Sequence, residues 1–184
     1  MAPDHDSKSR IGLRTRLLWF ISLVPPLFLL DLVSKRLVLK HMVPYGPTVE
    51  LIDGIARLRF IYNEGIAFGI NPSFLGTSAL AAFSVLVALL MTGYLFFAWL
   101  GEKPILAALC LIVSGACGNL YDRIAWGRVV DFIEIGIGDV TWPVFNVADL
   151  AVTAGALLLA WRMFATEKNS SAAQNKNATD SESV

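Results

Sequence analysis

The sequence predicts a mainly α-helical membrane protein, with four transmembrane helices and a small β-rich cradle on the extracytoplasmic side. Three observations predict it. Hydrophobic residues make up 55% of the 184-residue chain and charged residues 16%, whereas soluble domains typically run about 45–50% apolar and about 25% charged. Four stretches approach the ~20 apolar residues that a helix needs to cross the hydrocarbon core. Two of the segments between them carry glycines and β-formers bounded by turn residues, which is not the composition of a span.

The elements follow in order. A polar tail, residues 1–16, precedes a first span over Leu17–Leu39, which Asp31, Lys35 and Arg36 interrupt and which Pro25 and Pro26 should kink. No small-residue cleavage site follows the apolar run, so it reads as a span and not as a removable signal segment. Residues 40–77 form the first outer segment, where Leu51–Ile70 (LIDGIARLRFIYNEGIAFGI) suits short strands on the membrane surface. Ser78–Leu100 is a span without a charge, and Pro104–Tyr121 is a shorter one, uniformly apolar up to Asn119. Residues 122–143 form the second outer segment, with Arg128–Ile137 (RVVDFIEIGI) again strand-like. Val144–Ala165 is the fourth span, and the polar tail of residues 166–184 is expected to be disordered.

Lysine and arginine near the span ends set the direction. Lys8, Arg10, Arg14 and Arg16 precede the first span, Lys103 lies between the second and third, and Arg162, Lys168 and Lys176 follow in or after the fourth. An even number of spans puts all three groups on one side, so both termini are expected in the cytoplasm. A net charge of zero argues against a nucleic-acid partner. Cys110 and Cys117 lie seven residues apart on one helix face, too far for a mutual disulfide. They read as packing residues. With two histidines and no CxxC, no metal site is visible.

Charges inside a span cost about 2.5–3.5 kcal/mol each at the helix centre, so each requires an explanation. Asp31 and Lys35 are spaced to pair along one helix face. Asp149 has no basic residue within a turn on its own helix, and Asn146 lies three residues earlier on the same face. Asn119 and Arg123 stand one turn apart if the third helix continues past Tyr121, and Asp131 sits among apolar neighbours on a strand. The topology gathers all of them at the outer ends of their helices. Two carboxylates brought close cannot both ionise cheaply, so Asp131 and Asp149 would share a proton, one taking a proton from water while the other polarises a carbonyl. Which does which is not legible in the sequence.

These residues fall into four blocks. Asp31-Leu-Val-Ser-Lys35 is similar to a D-x-x-x-K pattern, and Asn63-Glu-Gly-Ile-Ala-Phe68 to N-x-G-x-A-F. Gly118-Asn119-Leu-Tyr-Asp122-Arg123 with Gly127-Arg-Val-Val-Asp131-Phe132 resembles G-N-x-x-D-R followed by G-x-V-V-D-F, and Phe145-Asn146-Val-Ala-Asp149 resembles F-N-x-A-D. In this order, from about Leu17 to Phe164, the chain resembles the lipoprotein signal peptidases (signal peptidase II). The resemblance implies an aspartic endopeptidase of the bacterial inner membrane, with Asp131 and Asp149 as catalytic dyad and the site on the periplasmic side. It implies that Asn63, Asn119, Arg123 and Asn146 line the site, that Asp31 and Lys35 support it, and that Gly115 leaves room for close helix or substrate approach. The implied substrate is a diacylglyceryl-prolipoprotein cut just before its lipidated cysteine. Membrane lipids are the other partner, a monomer is expected, and neither metal nor organic cofactor is implied.

Two other classes stay open on the residues alone. A small proton- or ion-coupled transporter would also bury Asp, Lys and Arg, although no internal repeat is visible. A structural protein using Gly115 and Gly118 as helix contacts would leave both aspartates and three asparagines without a role.

Overall fold

The computed structural model describes residues 10–65, 77–98, 100–138 and 140–182. Four long helices and four strands follow one another as α1 (Leu13–His41), β1 (Val49–Ile52), β2 (Ala56–Asn63), α2 (Thr77–Phe97), α3 (Lys103–Trp126), β3 (Val129–Ile137), β4 (Val140–Thr141) and α4 (Val147–Glu182). Each helix is long and apolar enough to cross a membrane, and the apolar residues on the outer faces of α1, α2 and α4 are exposed, as a lipid-facing surface requires.

The bundle is built around α3. Of its most apolar window 56% is buried, against 11% for α1 and α2 and 17% for α4. Small side chains explain this: Ala108, Cys110, Ser114, Gly115 and Gly118 are all buried, and they let neighbouring backbones come close. A Cβ on Gly115 would overlap the carbonyl oxygen of Ala148 on α4, and one on Gly118 would stand 3.0 Å from the Ala148 Cβ. Both cysteines are free thiols, and Cys110 is part of the core formed with Val24, Leu95, Leu106, Leu109 and Val113.

Helix α1 runs unbroken through Pro25 and Pro26. The hydroxyl of Ser114 donates to the Val24 carbonyl at 3.1 Å, a hydrogen bond that ties α3 to α1 beside the two prolines. Helix α1 also starts earlier than expected and takes Arg16 into the bundle, 1% exposed. Its guanidinium donates to the carbonyls of Leu95 (2.8 Å), Phe96 (3.2 Å) and Ala98 (2.8 Å), closing the C-terminal end of α2. Arg16 is therefore a buried helix cap at the end of α2. Arg16→Met should lower stability on the order of 3 kcal/mol, because it strips the donor from buried carbonyls. Thermal unfolding in detergent would read this, and an unchanged midpoint would show that the cap contributes nothing.

Other boundaries depart from expectation too, and helix α2 ends at Phe97 and not at Leu100. Helix α3 continues to Trp126 instead of ending at Tyr121, because Asn119 and Asp122 find partners inside the protein, and it stops at Gly127 in the left-handed conformation (φ 70°). Helix α4 starts at Val147, after an extended approach, and not at Val144. The tail expected to be disordered from Thr166 continues α4 as helix to Glu182, consistent with a sequence that has neither glycine nor proline after Gly155.

The strands form one antiparallel order, β1-β2-β3-β4. Strands β2 and β3 lie within the two stretches expected to be strand-like, whereas β1 begins two residues before Leu51 and β4 lies beyond Ile137; residues 66–70 fall outside the described residues. Hairpin β1–β2 is local, but β2 pairs with β3 from across α2 and α3, with Ile61 opposite Asp131 and Asn63 opposite Val129. Phe60, Val130 and Phe132 pack on Val38 of α1 and fasten the sheet to the bundle. Glu134, its side chain 3% exposed, binds both Arg57 and Arg59 of β2. Burial alone would raise the Glu134 carboxyl, but the two guanidiniums outweigh it and hold it below the ordinary range.

Candidate active site

The sheet and the helix ends meet at Asp131. Strand alternation buries its neighbours Val130 and Phe132 in the second core, and Asp131 itself is 1% exposed. Its two carboxylate oxygens each accept one amide: Asn63 Nδ2 reaches Oδ2 at 2.8 Å and Asn146 Nδ2 reaches Oδ1 at 2.7 Å. The Asn63 oxygen accepts the Gly65 N–H at 2.8 Å, which leaves its NH2 for Asp131. Pairing of β2 with β3 is what brings Asn63 there.

Asp149 comes from the first turn of α4, where local chemistry places it. Asn146 precedes the helix and its oxygen accepts the Asp149 N–H at 2.9 Å, while Asp149 Oδ2 accepts the Asn146 N–H at 3.2 Å. This is a reciprocal capping box with Asn and Asp in the two roles. Because the Asn146 oxygen is used by the cap, its NH2 is aimed at Asp131 and, at 3.0 Å, at the Asn119 oxygen. Asn119 Nδ2 donates in turn to Asp149 Oδ1 at 2.7 Å. Two fully engaged amides thus bridge the two carboxylates.

A charged cluster lies behind the bridge. Lys35 Nζ lies 2.8 Å from Asp31 Oδ2, 3.0 Å from Asp122 Oδ2 and 3.0 Å from Asn119 Oδ1. The helical spacing of Asp31 and Lys35 does form the expected pair, but each also has a second task. Asp31 Oδ1 accepts the Ala148 N–H at 2.9 Å, one of the unsatisfied donors at the start of α4 and the residue before Asp149. Asp122, quoted above within a motif but given no site role, also accepts the Val130 N–H at 3.1 Å, next to Asp131. The signal for it was present, since Asp122 follows Asn119 by three residues and shares its helix face.

Arg123 is placed differently from the other expected site residues. It hydrogen-bonds to neither aspartate. Its guanidinium donates to the Gly65 carbonyl at 3.0 Å and more weakly to the Asn119 carbonyl at 3.4 Å. It therefore ties the segment after β2 to the end of α3. Gly115 serves close approach of α3 to α4, and it also borders the cavity described next.

A cavity of about 340 Å³ opens beside the bridge, between α2, α3, α4 and the sheet. Asp149, Asn119 and Arg123 form its polar head, and Leu80, Phe83 and Leu150 are among its apolar walls. Asp131 is not on its surface but lies behind the amides. Burial first, and then the charge of Asp149, push the Asp131 carboxyl up to about 7, against the hydrogen bonds from Asn63 and Asn146 and the charge of Lys35. A carboxyl titrating there can hold a proton at neutral pH beside an open acid partner, the arrangement required for acid–base hydrolysis.

The chain is similar to known proteins over most of its length. Residues 23–165 match the family described as signal peptidase (SPase) II. The lipoprotein signal peptidase of Sulfurihydrogenibium sp. (strain YO3AOP1) is 36% identical over 155 residues, covering 81% of this chain and 93% of that protein. The lipoprotein signal peptidase of Thermodesulfovibrio yellowstonii is 35% identical over 136 residues, covering 74% and 88%. In fold, the chain is similar to a bacterial membrane enzyme solved by the in meso method at 2.3 Å resolution, with a TM-score of 0.74 and 24% identity over 87% of this chain and 93% of that one. The family match runs from before Asp31 to beyond Asp149 and the relatives align over most of both chains, so this chain belongs to the signal peptidase II family.

Proposed function

We propose that the protein removes the signal peptide from diacylglyceryl-modified prolipoproteins, cutting just before the lipidated cysteine with Asp131 and Asp149 as an aspartic dyad. The observation that carries this reading is the amide-bridged carboxylate pair beside an apolar cavity, near the ends of helices long and apolar enough to cross a membrane. A diacylated cysteine lies at headgroup depth with its chains in hydrocarbon, so a dyad that cuts beside it belongs at that depth. Of the two other readings open to the sequence, the coupled transporter and the structural protein, neither finds support among the relatives, which are named as peptidases.

In the proposed reaction Asp149, open to the cavity, is the ionised partner, and Asp131, behind it, holds the shared proton. Asp149 takes a proton from water as the water oxygen bonds to the scissile carbonyl carbon, while Asp131 donates to the carbonyl oxygen. Collapse of the tetrahedral intermediate breaks the C–N bond, the proton on Asp149 passes to the leaving amine, and Asp131 recovers its own. Asn119 and Asn146 keep both carboxylates oriented throughout.

The test is incubation of the purified protein in detergent with a diacylated prolipoprotein, followed by mass mapping of the product. Cleavage immediately before the lipidated cysteine supports the reading. Cleavage elsewhere, or equal turnover of the unlipidated precursor, overturns it.

The pH dependence has a definite sign. Asp131 must be protonated, so the rate should fall as pH rises through about 7, approaching tenfold per unit beyond it. Stability follows the same direction. A carboxyl raised to about 7 in the folded state holds its proton there more tightly than in the unfolded chain, so its contribution is full below the unfolded value near 4 and is lost as pH rises through about 7. A rate that stays flat from pH 6 to 9 would remove the proton from this role.

We place both termini in the cytoplasm and the dyad on the periplasmic side, on the support of the basic residues at Arg10, Arg14, Lys103 and Arg162. The exposed apolar faces of α1, α2 and α4 would contact membrane lipids around a monomer. Labelling of single cysteines from either side of the membrane, and light scattering of the purified protein, test these two statements.

A further inference from the structure

Lys35 is unusual in having no spare capacity. Its side chain is 2% exposed, and its three ammonium protons match three acceptors: Asp31 Oδ2, Asp122 Oδ2 and Asn119 Oδ1. An ammonium donates and never accepts. The Asn119 oxygen, which also accepts from Asn146 Nδ2 at 3.0 Å, must therefore face Lys35, and its NH2 is left to point toward Asp149 Oδ1 at 2.7 Å. Were the amide to turn over, its NH2 would meet the ammonium and its oxygen would meet a carboxylate, both repulsive.

We propose that Lys35 is a positioning residue of the cleavage reaction, which locks the Asn119 amide with its donor toward Asp149 and sets a buried positive charge one amide away from the dyad. The proposal rests on the reading of Asp131 and Asp149 as the dyad and goes beyond it by assigning who controls the charge state of the pair. The charges that face the dyad are few. Helix α1 contributes Lys35 and Asp31, α3 contributes Asp122 and Arg123, α4 contributes Asp149 itself, and α2 has no acidic or basic residue. On the strands Glu134 is paired with Arg57 and Arg59, Arg128 lies over the Tyr62 ring, and Glu64 is exposed. The Lys35 charge already opposes the upward push on Asp131. Without it, Asp131 would hold its proton to higher pH, and the pair would be harder to ionise.

The experiment measures the pH–rate profile of cleavage, with Tm in the same detergent, for wild type, Lys35→Met, Asp122→Asn and Asp31→Asn. Loss of the cation should move both limbs of the profile to higher pH by about half a unit or more, so that activity lost at pH 7 returns at higher pH. Loss of either acid should move the limbs the opposite way, because Lys35 then faces less negative charge. A merely structural Lys35 would lower Tm in these variants while every folded one kept the wild-type profile, and that result overturns the proposal. If Lys35→Met does not fold, the downward shift of the two acid variants decides. The dyad itself is checked separately: active Asp131→Asn or Asp149→Asn variants would refute the dyad, whereas inactive ones with unmoved Lys35-cluster profiles would refute only the positioning role.

Discussion

Asp131→Asn and Asp149→Asn are each expected to abolish cleavage, by about 10³-fold or more, while the protein stays folded. Asparagine preserves size but can neither take a proton from water nor give one to a carbonyl. The two variants should differ in stability. Both Asp131 oxygens accept an asparagine NH2, so Asp131→Asn turns one of those bonds into a donor–donor contact and should cost about 1–3 kcal/mol. Both Asp149 oxygens also accept an N–H, from Asn119 Nδ2 and from the Asn146 backbone, but Asp149 is half-buried at the cavity and has room to turn, so Asp149→Asn should unfold closer to wild type. Turnover of the diacylated precursor, with Tm measured in parallel, tests both statements. Near-normal turnover in either folded variant would end the two-aspartate mechanism.

Gly115→Val should be the most damaging change away from the carboxylates. A Cβ there would overlap the Ala148 carbonyl oxygen and lie 2.7 Å from Val152 Cγ2 and 3.1 Å from the Val152 nitrogen. Backbone atoms cannot swing aside as a flexible side chain does, so α3 and α4 must separate. Overpacking of this kind costs about 1–3 kcal/mol. The larger effect is on the reaction. The displaced residue, Ala148, is bound by Asp31 and precedes Asp149, and a shift of ~1 Å at a catalytic group costs about 10²-fold. Gly93 of α2 is the control, since a Cβ there meets nothing within 4 Å, and Gly93→Ala should keep full activity. Equal activity of Gly115→Val and wild type would show that the α3–α4 contact does not position Asp149.

Much of the fold was legible because membrane insertion leaves a coarse signature. Long apolar segments can satisfy their backbone only as helices, so the existence and order of four spans follow from composition. The ends were less legible. Helix α3 runs past Tyr121 because Asp122 reaches Lys35 and Val130, partners separated from it in sequence by 87 and 8 residues, and no local pattern reports them. Arg16 looked like one more cytoplasmic charge, and its burial depends on the end of α2, some 80 residues away.

The site divides along the same line. By itself the sequence determined which side chains are anomalous, since ionised and amide groups at the ends of apolar helices are costly without partners. It also marked Asn146 and Asp149 as near neighbours, although their capping box depends on α4 starting at Val147 and not at Val144. Only the tertiary structure decided that Asn63 meets Asp131, which needs β2 to pair with β3 across two helices. It also decided that Arg123 holds Gly65 instead of an aspartate, and that Asp131 is buried behind the amides while Asp149 faces the cavity. The physical reason is that a hydrogen bond is directional over about 3 Å. Residue types and spacing say which groups need a partner, but only the packing of distant backbones says which partner comes within reach.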